Sequence, residues 1–203
     1  MLLDSEGHIK ITDFGLSKLG LEGKDAQTNT FCGTPEYLAP EVIRAKGHSY
    51  SVDWWSLGIL TYEMISGINP FKSQAQLNNK SRVEILKRIT DTDVEILQGF
   101  STNAASLLKG LLQRDPTNRL DAQAIKSHEF FSSINWKLLA ARKIKVPFVP
   151  QVTDEYDTRN IDPDFTNETP AETYQDAGSH LKTTKIDQFT YDGRDIYLNQ
   201  HAH

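Results

Sequence analysis

The stretch that decides the fold is residues 30–41, which read Thr30-Phe-Cys-Gly-Thr-Pro-Glu-Tyr-Leu-Ala-Pro-Glu41. The tripeptide Asp13-Phe14-Gly15 precedes it. Alone, the tripeptide is weak evidence, because three residues recur by chance and an aspartate in a turn usually only caps it. Its pairing with Ala39-Pro40-Glu41 at this distance is one that a known signature set requires. The pair therefore predicts that residues 13–41 form one functional segment.

Asp13 is the candidate metal ligand of this segment. It follows residues 7–12, where Ile9 and Ile11 alternate with polar residues, which predicts a short strand. Magnesium prefers oxygen ligands and usually takes one or two carboxylates together with substrate phosphates. The sequence therefore predicts a magnesium ligand at Asp13, with Phe14 able to pack inward and Gly15 letting the chain turn.

The rest of the chain is mainly helical in pattern. Residues 50–66 carry apolar side chains all round a helix, so this helix needs cover on every side. Where this chain supplies no cover, we expect an apolar patch that faces water, which marks a partner site or a tendency to aggregate. Helical spacing of apolar residues predicts two more helices, at 83–89 and at 104–112, the second ending before Pro116. Residues 126–136 are apolar enough to close the core. The composition turns acidic and threonine-rich from residue 147, which by itself is typical of a disordered tail.

Two later motifs extend the pattern, Asp53-Trp-Trp-Ser-Leu-Gly58 and Arg114-Asp-Pro-Thr-Asn-Arg-Leu120. With these motifs in this order, the chain resembles the C-terminal lobe of an AGC-group serine/threonine protein kinase. It is similar to the ribosomal-protein kinases and protein kinase B, through residue 191. The resemblance implies a mainly α C-terminal lobe of the protein-kinase-like fold, with a short β-hairpin at the N-terminus and an extended C-terminal tail. It implies a kinase-domain part at residues 1–131 and an AGC tail at residues 132–203.

The resemblance also implies a reaction and its residues. The reaction is transfer of the ATP γ-phosphate to serine or threonine of protein substrates, with ATP and Mg²⁺ as cofactors. Glu41 and Arg119 would form a buried ion pair. Asp53 would hold the backbone of the catalytic loop, and it also fits a helix N-terminus, where the dipole favours an acid. The remaining site residues would bind ATP and magnesium (Asp13, Phe14, Gly15) or position the substrate (Thr34, Pro35, Glu36).

The resemblance further implies regulation by phosphorylation. Thr30 would be the activation-loop phosphosite, although residues 28–30 alone would be interpreted as a solvated polar loop. Thr169 and Thr173 both remain candidates for the turn-motif phosphosite. Thr190 would be the phosphosite of a hydrophobic motif whose Ile186, Phe189 and Tyr191 dock on the N-terminal lobe.

Several kinase parts do not occur in this sequence. It has no glycine-rich loop pattern and no His-Arg-Asp. We therefore expect no catalytic residue in this chain, which would be N-terminally truncated and inactive alone. An alternative is that the short chain acts as a non-catalytic binding module, which docks an upstream phosphoinositide-dependent kinase through its hydrophobic motif.

Composition narrows the partners and the compartment. The net charge is −5, and the excess of acidic residues lies in residues 151–203. The sequence has no basic patch that would indicate binding to nucleic acid. No run of 18 apolar residues predicts a membrane span. The single cysteine, Cys32, fits a reducing compartment, so we expect the cytoplasm or also the nucleus.

Overall fold

A computed structural model of the chain describes residues 1–21, 26–72 and 82–170. The chain divides into two compact units, residues 1–150 and residues 151–203. The described elements are mostly helices preceded by a two-stranded antiparallel hairpin, as predicted. They are β1 Leu2–Leu3, β2 Ile9–Lys10, α1 Pro40–Ile43, α2 Ser51–Ser66, α3 Arg82–Asp91, α4 Thr102–Leu111, α5 Ala122–Ser127, α6 Trp136–Ala140 and α7 Pro163–Thr166.

The N-terminal hairpin is shorter than the apolar alternation indicates. β1 pairs with β2 through Leu3 opposite Ile9, and Ile11 lies outside the ladder. The Asp4 carboxylate closes the turn by accepting a bond from the His8 amide at 2.8 Å. This bond is the main cause of a lowered pKa for Asp4. Ile9 and Ile11 are both exposed, so the alternation does not mark a buried face within the described residues.

The main core forms around α2. Trp55 and Ile59 are fully buried there, and the Phe71 ring stacks on Trp55 with centroids 5.9 Å apart. α3 contributes the buried Ile89 and packs against α1. The other buried members of this core are Leu38, Ala39 and Val42. The core therefore fixes residues 38–42 directly against α2.

A second cluster forms where α4 packs against α2. The Ser101 side chain accepts a bond from the Ala104 amide at 3.1 Å and caps α4. Leu107 and Leu111 of α4 meet Ile125 of α5 in this cluster. The helices predicted at 50–66, 83–89 and 104–112 are thus confirmed.

The last turns of α2 leave apolar side chains uncovered within the described residues. Met64 is 68% exposed and Ile65 is also exposed, as expected for a helix that this chain covers only in part. The helix ends at Gly67, whose φ of 75° is the left-handed conformation that glycine adopts without strain. No helix in the described part of the chain is long and apolar enough to cross a bilayer.

The second unit begins with a turn that organises around Asp157. Its carboxylate accepts bonds from the Thr153 amide at 2.8 Å and the Arg159 amide at 3.1 Å. These backbone bonds hold the pKa of Asp157 far below its usual range. α7 follows, capped by Asp162, which accepts a bond from the Asp164 amide at 3.0 Å. Residues 151–170 thus contain local order that the acidic composition alone would not indicate.

Candidate functional site

Asp13 lies on an exposed turn directly after the hairpin. Its φ is 63°, a left-handed conformation that aspartate tolerates better than most residues. The Ser17 amide and hydroxyl both donate to the Phe14 carbonyl, at 3.0 and 2.7 Å, and close the following turn. Phe14, which the sequence suggested could pack inward, is 66% exposed, so the described residues leave most of its ring uncovered.

The Asp13 carboxylate suits one ligand position of a hard cation. Its Oδ1 lies 3.4 Å from the Gly15 amide, at the edge of hydrogen-bonding range. Among the residues that the structure describes, no group of three or more acidic, histidine or cysteine side chains could hold a metal. Magnesium commonly relies on one or two carboxylates with phosphates and water, so a single exposed carboxylate fits that chemistry.

Residues 27–30, here called the Thr30 segment, are hydrogen-bonded to the chain that follows α1. The Thr28 amide donates to the His48 carbonyl at 2.9 Å, and the His48 amide donates to the Thr28 carbonyl at 3.0 Å. Thr30 is exposed, and its hydroxyl lies 3.3 Å from that of Thr28. Both threonines line a cavity of about 340 Å³ together with Lys18 and Cys32. Burial lowers the pKa of His48, which lines the same cavity.

The residues predicted to position a substrate form one tight turn. Pro35–Tyr37 is a single 3₁₀ turn, closed by the Tyr37 amide donating to the Thr34 carbonyl at 3.0 Å. The Ser56 hydroxyl of α2 donates to the Tyr37 carbonyl at 3.0 Å and fixes the turn from below. Thr34 itself is exposed at the start of this turn. Thr34 is therefore an exposed residue at the start of a turn that hydrogen bonds hold in place.

Glu63, Asn69 and Lys72 also hold this turn, and the sequence motifs did not single out Glu63 or Lys72. The Tyr37 hydroxyl donates to Glu63 of α2, and this bond raises the pKa of Tyr37 to about 12. The Asn69 side-chain Nδ2 donates to the other carboxylate oxygen of Glu63 at 3.0 Å. Lys72 pairs with Glu36 at 3.1 Å. The Asn-Pro-Phe sequence at 69–71 predicts a loop, which by the family resemblance would help shape the substrate region. The sequence does not indicate that this loop contacts residues 36 and 37.

Glu41 and Arg119 form a bidentate ion pair with distances of 2.7 and 3.0 Å. Both side chains are almost fully buried. The same guanidinium donates to the Ser51 carbonyl at 2.8 Å and to the Gln113 carbonyl at 2.9 and 3.1 Å. It also lies 5.3 Å from the Trp55 ring centroid. The ion pair thus joins two residues that lie 78 positions apart in sequence.

Asp53 lies in the first turn of α2, where an acid suits the helix dipole. The residue is exposed, yet partial desolvation of its carboxyl raises the pKa of Asp53. It also lines the cavity beside Thr30.

The candidate phosphosites of the second unit fall mostly outside the described residues. Thr169 is described and exposed. The others, which are the phosphosites Thr173 and Thr190 and the docking residues Ile186, Phe189 and Tyr191, lie outside the described ranges.

Comparison with known proteins defines the class. Residues 1–131 match the protein kinase domain, and residues 152–190 match the protein kinase C terminal domain. The chain belongs to the protein kinase family, and its resemblance to AGC-type serine/threonine kinases is confirmed.

Individual relatives agree with this assignment. The chain is 45% identical over 192 residues to the serine/threonine-protein kinase gad8 of Schizosaccharomyces pombe, covering 93% of this chain and 32% of that protein. It is 42% identical over 196 residues to the human RAC-beta serine/threonine-protein kinase, covering 94% and 39%. It is 41% identical over 206 residues to the rabbit (Oryctolagus cuniculus) protein kinase C zeta type, covering 98% and 34%. The chain thus spans between about a third and two fifths of the length of these relatives.

Proposed function

We propose that this chain is the part of a serine/threonine protein kinase that presents the substrate hydroxyl and carries the regulatory phosphosites. The parent reaction is transfer of the ATP γ-phosphate to serine or threonine of a protein. The observation that carries the proposal is the fixed turn at residues 34–37. Ser56, Glu63 and Lys72 hold it from separate directions.

Rigid support of this kind suits phosphoryl transfer, because the enzyme works mainly by positioning and electrostatic stabilisation. A loop held by a buried ion pair keeps its place when a substrate binds. In this proposal Thr34, Pro35 and Glu36 position the substrate. Glu41, Arg119 and Asp53 support the segment from below.

The nucleotide end of the site would be residues 13–15. Magnesium, when bound, neutralises charge that develops on the phosphates. Asp13 would contribute one carboxylate oxygen, and its exposed position leaves that oxygen accessible. Phe14 and Gly15 would shape the turn that presents it.

The regulatory part of the proposal concerns the phosphosites. Thr30, Thr190 and either Thr169 or Thr173 would accept phosphate, which adds nearly two negative charges and can order a loop. An upstream phosphoinositide-dependent kinase would dock through Ile186, Phe189 and Tyr191 and modify Thr30. The kinase part would be residues 1–131 and the tail residues 132–203. The lone Cys32 supports a reducing compartment, the cytoplasm or also the nucleus.

We further propose that the 203 residues alone do not transfer phosphate. Their sequence holds no glycine-rich loop and no His-Arg-Asp, which supply the phosphate cover and the proton acceptor in kinases. The alternative role as a non-catalytic docking module depends on residues 186–191, and no contact of the described residues favours it.

A chimaera tests the proposal. The matched segment of the human RAC-beta kinase is replaced by this chain, and phosphate transfer from labelled ATP to serine, threonine and tyrosine peptides is measured. Transfer to serine and threonine peptides alone is expected. Asp13→Asn should abolish it, whereas Asp91→Asn, at the exposed end of α3, should leave it within about twofold.

Two results would contradict the proposal. One is a folded chimaera whose transfer is unaffected by Asp13→Asn. The other is ATP-dependent phosphate transfer by the purified 203-residue chain, which would refute its inactivity.

A further inference from the structure

The turn at residues 45–48, here called the anchor turn, is firmly mounted on the core. The Lys46 amide donates to the Glu41 carbonyl at 3.2 Å, and the Glu41 side chain is locked to Arg119. Ala45 and Gly47 both adopt left-handed backbone conformations, with φ of 50° and 76°. The anchor turn is therefore a fixed and tightly wound feature of the fold.

The Thr30 segment lies directly on the anchor turn. Thr28 exchanges two main-chain hydrogen bonds with His48, at 2.9 and 3.0 Å. A side chain at Gly47 would meet the Gln27 side chain at 2.4 Å and the Asn29 side chain at 3.5 Å. Three consecutive residues thus pack against this turn, and the close approach depends on glycine at position 47.

We propose that the anchor turn, through Gly47 and His48, positions the Thr30 segment so that it restrains phosphorylation of Thr30. The inference rests on the proposed function, in which an upstream kinase modifies this threonine. In that step Thr30 Oγ1 forms the new bond to the γ-phosphorus of ATP, the bond from that phosphorus to the bridging oxygen breaks, and ADP and the hydroxyl proton are released.

The restraint follows from the engaged main chain of Thr28. An enzyme cleft can take up the residues before Thr30 only after the pairing with His48 opens. When a competent state is only partly populated, the apparent affinity falls by that fraction. The main-chain pairing between Thr28 and His48 therefore raises the KM of the modifying enzyme for the folded chain and leaves kcat unchanged.

The test uses the full 203-residue chain as substrate for a phosphoinositide-dependent kinase. Gly47→Val should raise kcat/KM for Thr30 phosphorylation at least about threefold, through KM, because it increases the competent fraction. Gly67→Val is the matched control, because its φ is 75° and an added Cβ there meets nothing within 4 Å. It should change kcat/KM less than about twofold, since it leaves that fraction unchanged. A peptide of residues 26–36 gives the unrestrained value, which neither substitution alters.

A second variant guards against misfolding of Gly47→Val. Thr28→Pro removes the main-chain N–H that donates to the His48 carbonyl. The same substitution in the peptide of residues 26–36 measures how far proline itself alters recognition by the enzyme, and that effect is subtracted. After that correction the folded chain should again become a better substrate. An unchanged or higher KM in both variants would overturn the proposal.

Hydrogen exchange separates this inference from the phosphosite itself. Faster exchange at residues 27–30 in Gly47→Val but not in Gly67→Val supports the anchor, and equal rates in both variants overturn it. If neither chain nor peptide accepts phosphate on Thr30, the phosphosite of the proposed function is refuted. The exchange rates then still decide whether the turn holds the segment.

Discussion

Replacing Arg119 by methionine should be among the most destabilising single changes in this chain. The guanidinium makes two bonds to the buried Glu41 carboxylate and three to the carbonyls of Ser51 and Gln113. Methionine fills much of the same space but leaves the carboxylate and the carbonyls without these donors. Removing one partner of a buried ion pair costs about 3–5 kcal/mol. This is a large fraction of the roughly 5–15 kcal/mol that stabilises an ordinary domain.

Urea unfolding followed by far-ultraviolet circular dichroism measures this loss. Circular dichroism is preferred to fluorescence because the guanidinium lies 5.3 Å from the Trp55 ring and its removal would alter the emission. Arg114→Ala is the control. Its partner Asp93 is 96% exposed, so its loss should cost about 1 kcal/mol or less.

A double variant tests the physical reason. If the cost comes from a stranded charge, Arg119→Met combined with Glu41→Leu should be less destabilised than the sum of the two single changes. A cost for Arg119→Met no greater than that for Arg114→Ala would refute the reasoning. So would strict additivity of the two changes.

The remaining predictions concern the turn at residues 34–37, the packing of the helices and the turn around Asp157. The pKa of Tyr37 is raised to about 12 from an ordinary 10.0, so its bond to Glu63 should stabilise the fold fully below pH 10 and stop doing so as pH rises through 12. When the free energy of unfolding is measured against rising pH, this loss should be missing in Tyr37→Phe. Gly58→Ala should lower stability by about 1–3 kcal/mol in thermal melts, because its Cβ would lie 2.7 Å from Leu112, whereas exposed Asn103→Ala should change it by less than about 0.5 kcal/mol; equal losses would contradict this packing. Asp157→Asn should speed amide hydrogen exchange at Thr153, and unchanged exchange would argue against the turn. Because the pKa of Asp157 is lowered in the folded chain, the turn should keep its full stability at pH values above the ordinary aspartate pKa. The turn should lose that stability as pH falls below the ordinary pKa towards the lowered one.

The sequence predicted the helices well because their signals are local. The spacing of Leu107, Leu108 and Leu111 is a property of consecutive residues, and the helix over them is confirmed. The strand at Ile9 was overestimated, and Phe14 proved exposed. Burial depends on what other parts of the molecule cover a side chain, and periodicity does not reveal that.

The sequence indicated the contact between residues that stand in known motifs, and it did not indicate contacts that only packing creates. The resemblance to AGC-group kinases implied that Glu41 and Arg119 form an ion pair, and the two side chains are paired in the structure. Glu63 and Lys72 belong to no motif that indicates a contact with the turn at residues 34–37. Their roles arise from contacts across 26 and 36 positions of sequence.

By itself, the sequence determined the class of this protein, because the motifs at residues 13–15, 30–41, 53–58 and 114–120 are short runs of consecutive residues in a fixed order. It also determined the helices, because apolar spacing acts over a few residues. The tertiary structure alone decided how the Thr34–Tyr37 turn is supported and where the Thr30 segment rests. Those contacts join main-chain groups and side chains far apart in sequence, such as Thr28 with His48, and a main-chain bond carries no signature in the identity of the residue that makes it.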